Sequence, residues 1–306
     1  MRYKDMLLSA SFAVLSATGM HAQPSPGPAA QMVVTVEPRH DGQLPPISQG
    51  DISVSSGKEH LTVLDWVPAA NVPAQVFVLI DEGANTTIGT QFPALKRFFT
   101  DLPPGTLVGL GYMRNGTVDR VQDLTADHAL AASKLRLPMA SPGADASPYF
   151  SLQDLIKHWP AGNASDNGVR REVLMITDGV DRYYGRGPDN PYVDTAFAEA
   201  QKHGITVSSI YWSSLGHFGH SHYLINWGQN YLAQVAQETG GEAYWEGIGN
   251  PVSFEPYLND FVKRLSGQYV LTFRPVPRNK PGLENVKVRI ESKDLDLVAP
   301  QAVWVQ

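Results

Sequence analysis

Residues 75–85 read QVFVLIDEGAN and residues 171–179 read REVLMITDG. Each contains an apolar run of strand length, Val76–Ile80 and Val173–Ile176, with no polar alternation. A strand buried on both faces reads this way. An aspartate follows each run, Asp81 directly and Asp178 after Thr177. Ligands of open α/β sheets sit beyond the carboxyl ends of the strands, so both acids are expected on one rim. Two facing carboxylates repel unless a cation, a basic group or a proton lies between them. Hard divalent cations take oxygen ligands of this kind.

Around these runs, strands alternate with helical periodicity. Apolar residues at Ile88, Phe92, Leu95, Phe98, Phe99 and Leu102 predict a helix over 88–102, stopped by Pro103-Pro104-Gly105. Leu107–Met113 predicts a strand, Asn115-Gly116 a tight hairpin turn and Val118–Leu124 the return strand. Helices are predicted over 126–135, 147–159, 192–203, 226–238 and 254–265, and strands over 205–212 and 243–245. The expected fold class is α/β, a Rossmann-like, mostly parallel sheet with helices on both faces. The hairpin adds one antiparallel edge strand. Both ends of the chain are β-rich, with strands predicted at 32–37, 51–55, 60–65, 269–273, 286–290 and 302–305. They are expected to pack together as a flanking module. The resulting division is 1–22 signal peptide, 23–72 Pro-rich leader and hairpin, 73–266 α/β domain and 267–306 C-terminal β segment. The chain shows no internal repeat.

The start of the chain reads as a signal peptide. Arg2 and Lys4 precede the apolar LLSASFAV of 7–14, and small residues lead to a cut after Ala22. An exported protein, periplasmic or secreted, is expected. Removing 1–22 takes away Arg2, Lys4 and Asp5, so the net charge moves from −6 to −7. No other stretch approaches a membrane span. The absence of cysteine excludes disulfides, thiol catalysis and zinc–thiolate sites. The absence of a basic run argues against a nucleic-acid partner. No G-x-G-x-x-G follows the first apolar strand, and no G-x-x-x-x-G-K-[ST] occurs, so no nucleotide is expected. G-x-S-x-G is missing too, and no catalytic constellation is identified.

The segments VFVLIDEGANT (76–86), LVGLGYMRNG (107–116), ASPYFSLQDLI (146–156), REVLMITDG (171–179), YLAQVAQETGGEAYW (231–245) and GQYVLTFRP (267–275) follow one another in an order that resembles the von Willebrand factor type A family. More narrowly, they resemble its exported VWFA-related members from acidobacteria. The resemblance spans about residues 30–306. It implies a metal-ion-dependent adhesion site, usually holding Mg²⁺, whose open coordination position takes a carboxylate from a protein ligand. Carried over, the site residues are Asp81, Asn85, Ser147 and Asp178, with Gly83 at a position where the family has a serine. That ligand is lost and Asn85 replaces another hydroxyl, so the site is degenerate. Glu82 adds a nearby carboxylate. The alternative is a metal-free domain in which Asp81 and Asp178 cap helix N-termini or loops.

Two other loops stand out. His217, His220 and His222 lie in SLGHFGHSHY and have the chemistry of a transition-metal site. A loop with ordinary hydrogen-bonded histidines reads the same way. Arg182, Tyr183, Tyr184 and Arg186 follow Asp178, and exposed Tyr and Arg favour protein interfaces. Glu82, Tyr183, Tyr184 and Arg186 are the candidate partner contacts. The leading expectation is a binding module engaging a protein ligand through the rim. A metal-dependent hydrolase using the histidine loop and a metal-free structural protein are the alternatives.

Overall fold

The computed structural model describes residues 28–306, apart from 41, 43, 140–145, 161–167, 185–186, 188 and 215–220. The signal-peptide segment 1–22, Arg186, His217 and His220 lie outside the described residues. In chain order the elements are β1 (Ala30–Pro38), β2 (Ile52–Ser56), β3 (Glu59–Pro68), β4 (Ala74–Asp81), α1 (Phe92–Asp101), β5 (Leu107–Arg114), β6 (Thr117–Thr125), α2 (His128–Ser133), α3 (Pro148–Lys157) and β7 (Arg170–Thr177). They continue with α4 (Pro191–Lys202), β8 (Ile205–Tyr211), α5 (His222–Thr239), β9 (Ala243–Tyr244), α6 (Glu255–Ser266), β10 (Gln268–Arg274), β11 (Gly282–Asn285), β12 (Lys287–Ile290), β13 (Leu295–Val298) and β14 (Ala302–Val305).

β4 is the centre of a six-stranded sheet ordered β6-β5-β4-β7-β8-β9. Every residue from Ala74 to Asp81 is buried, because helices cover both faces. Side chains alternate across a strand, so β4 serves two cores. Val76, Val78 and Ile80 pack with Leu95, Phe98 and Phe99 of α1 and Phe261 of α6. Phe77 and Leu79 pack with Tyr149 and Leu152 of α3, Val193 of α4 and Tyr231 of α5. All neighbours in this sheet are parallel except β5–β6. That pair turns at Asn115 (φ 48°) and Gly116 (φ 77°). Two positive φ values make a primed hairpin turn, whose twist matches the strands it joins.

The chain ends share a second, antiparallel sheet, ordered β12-β2-β3-β10-β1-β13, beside a β11–β14 pair. Its core includes Val34, Trp66, Leu271, Phe273 and Val305.

Several boundaries differ from expectation for local reasons. The helix predicted from Ile88 starts as a 3-10 turn over Thr86–Gln91, and α1 proper begins at Phe92 with Pro93 in its first turn. α5 starts four residues early because Ser221 caps it. The strand predicted over 286–290 forms as β12, and a further strand, β11, precedes it. Val286 N–H donates to the Gln301 carbonyl (3.0 Å), and the chain passes from β14 to β2 as its partner. β13, with the short sequence LDLV, was not predicted and pairs with β1. Among the described residues, no helix is long and apolar enough to cross a membrane.

Candidate functional site

β4 and β7 are parallel neighbours in the register Ile80↔Ile176. Asp81 and the Thr177–Asp178 pair therefore leave the sheet side by side. Asp81 is buried, and both of its oxygens are engaged. Oδ1 accepts Gly83 N–H (2.8 Å), and Oδ2 accepts the Thr177 hydroxyl (2.7 Å). Asp178 is 2% exposed. Its Oδ1 accepts Val180 N–H (2.9 Å). Its Oδ2 accepts the Ser214 hydroxyl and the Arg182 guanidinium, the latter at 2.6 Å.

Arg182 is the residue that sequence reasoning placed elsewhere. Instead of pointing outward to a partner, its side chain folds back over one turn and is 5% exposed. Nη2 also donates to Ser214 Oγ (2.7 Å), and Nη1 to the Val180 carbonyl (3.3 Å). Arg182 N–H donates to the Ala146 carbonyl (3.0 Å), which ties the loop to the segment leading into α3. Burial, reinforced by the charge of Asp178, pushes the Asp81 carboxyl above its ordinary pKa, while Arg182 opposes the shift. Burial pulls the Arg182 guanidinium down, but the Asp178 and Asp81 carboxylates outweigh it and raise it above its ordinary value, so it stays charged.

α5 closes the site from one side. A Cβ on Gly228 would lie 1.9 Å from the Asp178 carbonyl oxygen, so only glycine lets the helix approach that loop. Tyr149 is buried beneath the loop and donates its hydroxyl to the Gly179 carbonyl (2.8 Å). Burial raises its pKa well above the ordinary value, so it stays a neutral donor.

Ser147 is buried and lines a small depression with Asp81, Asn115 and Arg182. It caps α3, its Oγ accepting Phe150 N–H at 3.4 Å. Asn85 is not gathered into this cluster. Its Oδ1 accepts Thr87 N–H (3.0 Å) and the Thr87 hydroxyl (2.9 Å), capping the 3-10 turn. Glu82 is a correction to the expected partner contact. It is buried, bonds Arg136 and accepts Met139 N–H (2.8 Å). His222 is exposed in the first turn of α5. Among the described residues, no three His, Cys, Asp or Glu side chains form a metal-holding group.

These donors decide the fit of a divalent ion. Mg²⁺ needs near-octahedral oxygen ligands whose lone pairs face it. Gly83 offers no side chain, Asn85 is occupied as a cap, and the Arg182 guanidinium occupies Asp178 Oδ2. With Arg182 seated on Asp178, the residues do not fit the ion.

Outside this buried centre, Tyr183 and Tyr184 are 52% and 46% exposed. Buried Asp181, missed in the sequence, sets their backbone. Its Oδ1 accepts both tyrosine N–H groups (3.0 and 3.1 Å), and its Oδ2 accepts Asn190 Nδ2 (2.9 Å). Tyr183 packs edge-on against Phe150 (5.2 Å) and Tyr192 (5.5 Å), and Tyr184 against Tyr192 (5.7 Å).

No protein-family model matches the chain, and no curated protein matches it in sequence. The chain is similar to solved structures at low identity. BatB from Bacteroides thetaiotaomicron is 15% identical, with 63% of this chain and 97% of that chain covered and a TM-score of 0.45. A von Willebrand factor type A protein from Catenulispora acidiphila is 9% identical, with 92% and 75% covered and a TM-score of 0.43. The manganese-loaded TRAP protein of Plasmodium vivax is 11% identical, with 79% and 98% covered and a TM-score of 0.42.

Proposed function

We propose that the chain is an exported, von Willebrand A-like binding module that engages a protein partner through the rim at the carboxyl ends of its parallel strands. The metal-ion-dependent adhesion site implied by the sequence resemblance is degenerate in this reading. Contact falls to the aromatic surface beside it. The observation that carries the reading is the exposed Tyr183–Tyr184 pair, braced by Phe150 and Tyr192. Rigid, half-exposed tyrosines supply large contact area at low entropic cost, as interface anchors do. Loops at strand ends carry binding residues on a fixed scaffold.

The test is photo-crosslinking in cells of the native host. A photoreactive residue at Tyr184 is expected to trap a discrete protein adduct, and the same residue at exposed Lys58, on the distant β2–β3 turn, is expected to trap none. Tyr183→Ala should remove the adduct and leave the thermal midpoint unchanged. Equal adducts at both positions, or an adduct insensitive to Tyr183→Ala, would sink the reading.

A further inference from the structure

Two buried carboxylates at adjoining strand ends need positive charge close by, since burial removes the water that would otherwise screen them. The chain supplies that charge from its own sequence. Arg182 lies four residues beyond Asp178, and the turn at 181–184 brings its guanidinium back onto Oδ2 at 2.6 Å. Ser214, delivered by the Ala84↔Ser214 bridge, completes the seat by bonding both partners. Val180 N–H, Gly83 N–H and the Thr177 hydroxyl satisfy the other carboxylate oxygens.

We infer that Arg182 is the resident cation of the rim, a tethered guanidinium standing in for a divalent ion, so that the rim is complete without metal and removing Arg182 uncovers a latent divalent-cation site formed by Asp81, Ser147, Thr177 and Asp178. Three properties follow. The cation cannot dissociate, so chelators leave the rim intact. It holds the chain from Asp178 to Tyr184 in place, so the tyrosine pair is positioned at all times rather than on metal loading. It is also enclosed, so a partner's carboxylate has no open coordination position to fill. The inference stands apart from the partner-binding reading, because metal occupancy is read without a partner.

The test uses the mature protein, with Mn²⁺ followed by electron paramagnetic resonance and the thermal midpoint followed with Mg²⁺, Mn²⁺ or chelator. The wild type is expected to bind no Mn²⁺ at the rim and to keep one midpoint in all conditions. Arg182→Ala is expected to gain one Mn²⁺ and a midpoint that rises by several degrees with Mn²⁺ and falls back with chelator. Adding Asp178→Asn should erase the gain, and Arg182→Lys should stay silent to metal. If Arg182→Ala is soluble only when refolded with Mn²⁺, the inference is equally supported. A wild-type Mn²⁺ signal abolished by Asp81→Asn overturns it. So does an Arg182→Ala protein that ignores Mn²⁺, or one that folds neither with the ion nor without it.

Discussion

The parallel sheet buries a carboxylate at each end, and the two ends handle it differently. At the rim, Asp178 meets its cation directly through Arg182. At the base, Glu172 of β7 is buried with two arginines in the neighbourhood, yet its side-chain hydrogen bonds come from the neutral side chains of Gln268 and Thr206. Gln268 Nε2 donates to Glu172 Oε1 (2.8 Å). Arg170 gives its N–H groups to Gln268 Oε1 (2.6 Å) and to the carbonyls of Leu265 (2.7 Å) and Ala69 (3.3 Å). Arg264 pairs with Glu37 (2.9 Å) and Glu242 (3.3 Å). Burial therefore pushes Glu172 up to about 7, despite Gln268 and Arg170. At the rim a cation touches the carboxylate, whereas at the base the cation reaches it only through an amide. The rim holds a direct ion pair, and the base, where the α/β sheet meets the antiparallel sheet, is a titrating contact.

The largest expected effect breaks the rim. Arg182→Ala without metal should lower unfolding free energy by about 3–5 kcal/mol in urea titrations, because it leaves Asp178 buried beside Asp81 without its cation.

The base should respond to pH. The folded pKa of Glu172 exceeds its unfolded value, so its contribution to stability is fully present below about pH 4.5 and is lost as pH rises through about 7. The swing is about 3 kcal/mol. Glu172→Gln should match the wild type near pH 4 and exceed it by up to that amount near pH 8, seen in denaturation midpoints across pH. A difference independent of pH would contradict the titrating base.

Asp181→Ala leaves three donors without an acceptor and should lower stability by about 2 kcal/mol. It should also speed hydrogen exchange at the Tyr183 and Tyr184 amides relative to those of β7. Asn85→Ala removes only a cap. It should lower stability by about 1 kcal/mol in the same urea titration and leave the metal silence of the rim unchanged.

The two ends were unequally legible in the sequence. Apolar runs ending in Asp81 and Asp178 located the rim, because a strand buried on both faces must be apolar throughout and its first polar residue marks its end. The α/β class, the mostly parallel sheet and the hairpin at Asn115-Gly116 were readable for the same local reasons. Arg182 was not, because its role depends on a turn that reverses the side chain, and an arginine beside two tyrosines reads equally well as surface. Ser214 was hidden because only the fold brings it to Asp178. Asn85 and Ser147 were oxygen-bearing as expected, but the backbone N–H groups of Thr87 and Phe150 compete for them. The base left one trace, a glutamate directly before the apolar VLMI of β7, whose partner Gln268 lies 96 residues away.

A double-mutant cycle tests the central claim, that Arg182 neutralises the buried acids of the rim from within. Unfolding free energies of the wild type, Asp178→Asn, Arg182→Gln and the double variant give the coupling between the two side chains. The expected coupling is about 2 kcal/mol or more, unchanged by chelator or Mg²⁺. A coupling near zero, or one that appears only when Mg²⁺ is removed, would contradict the account.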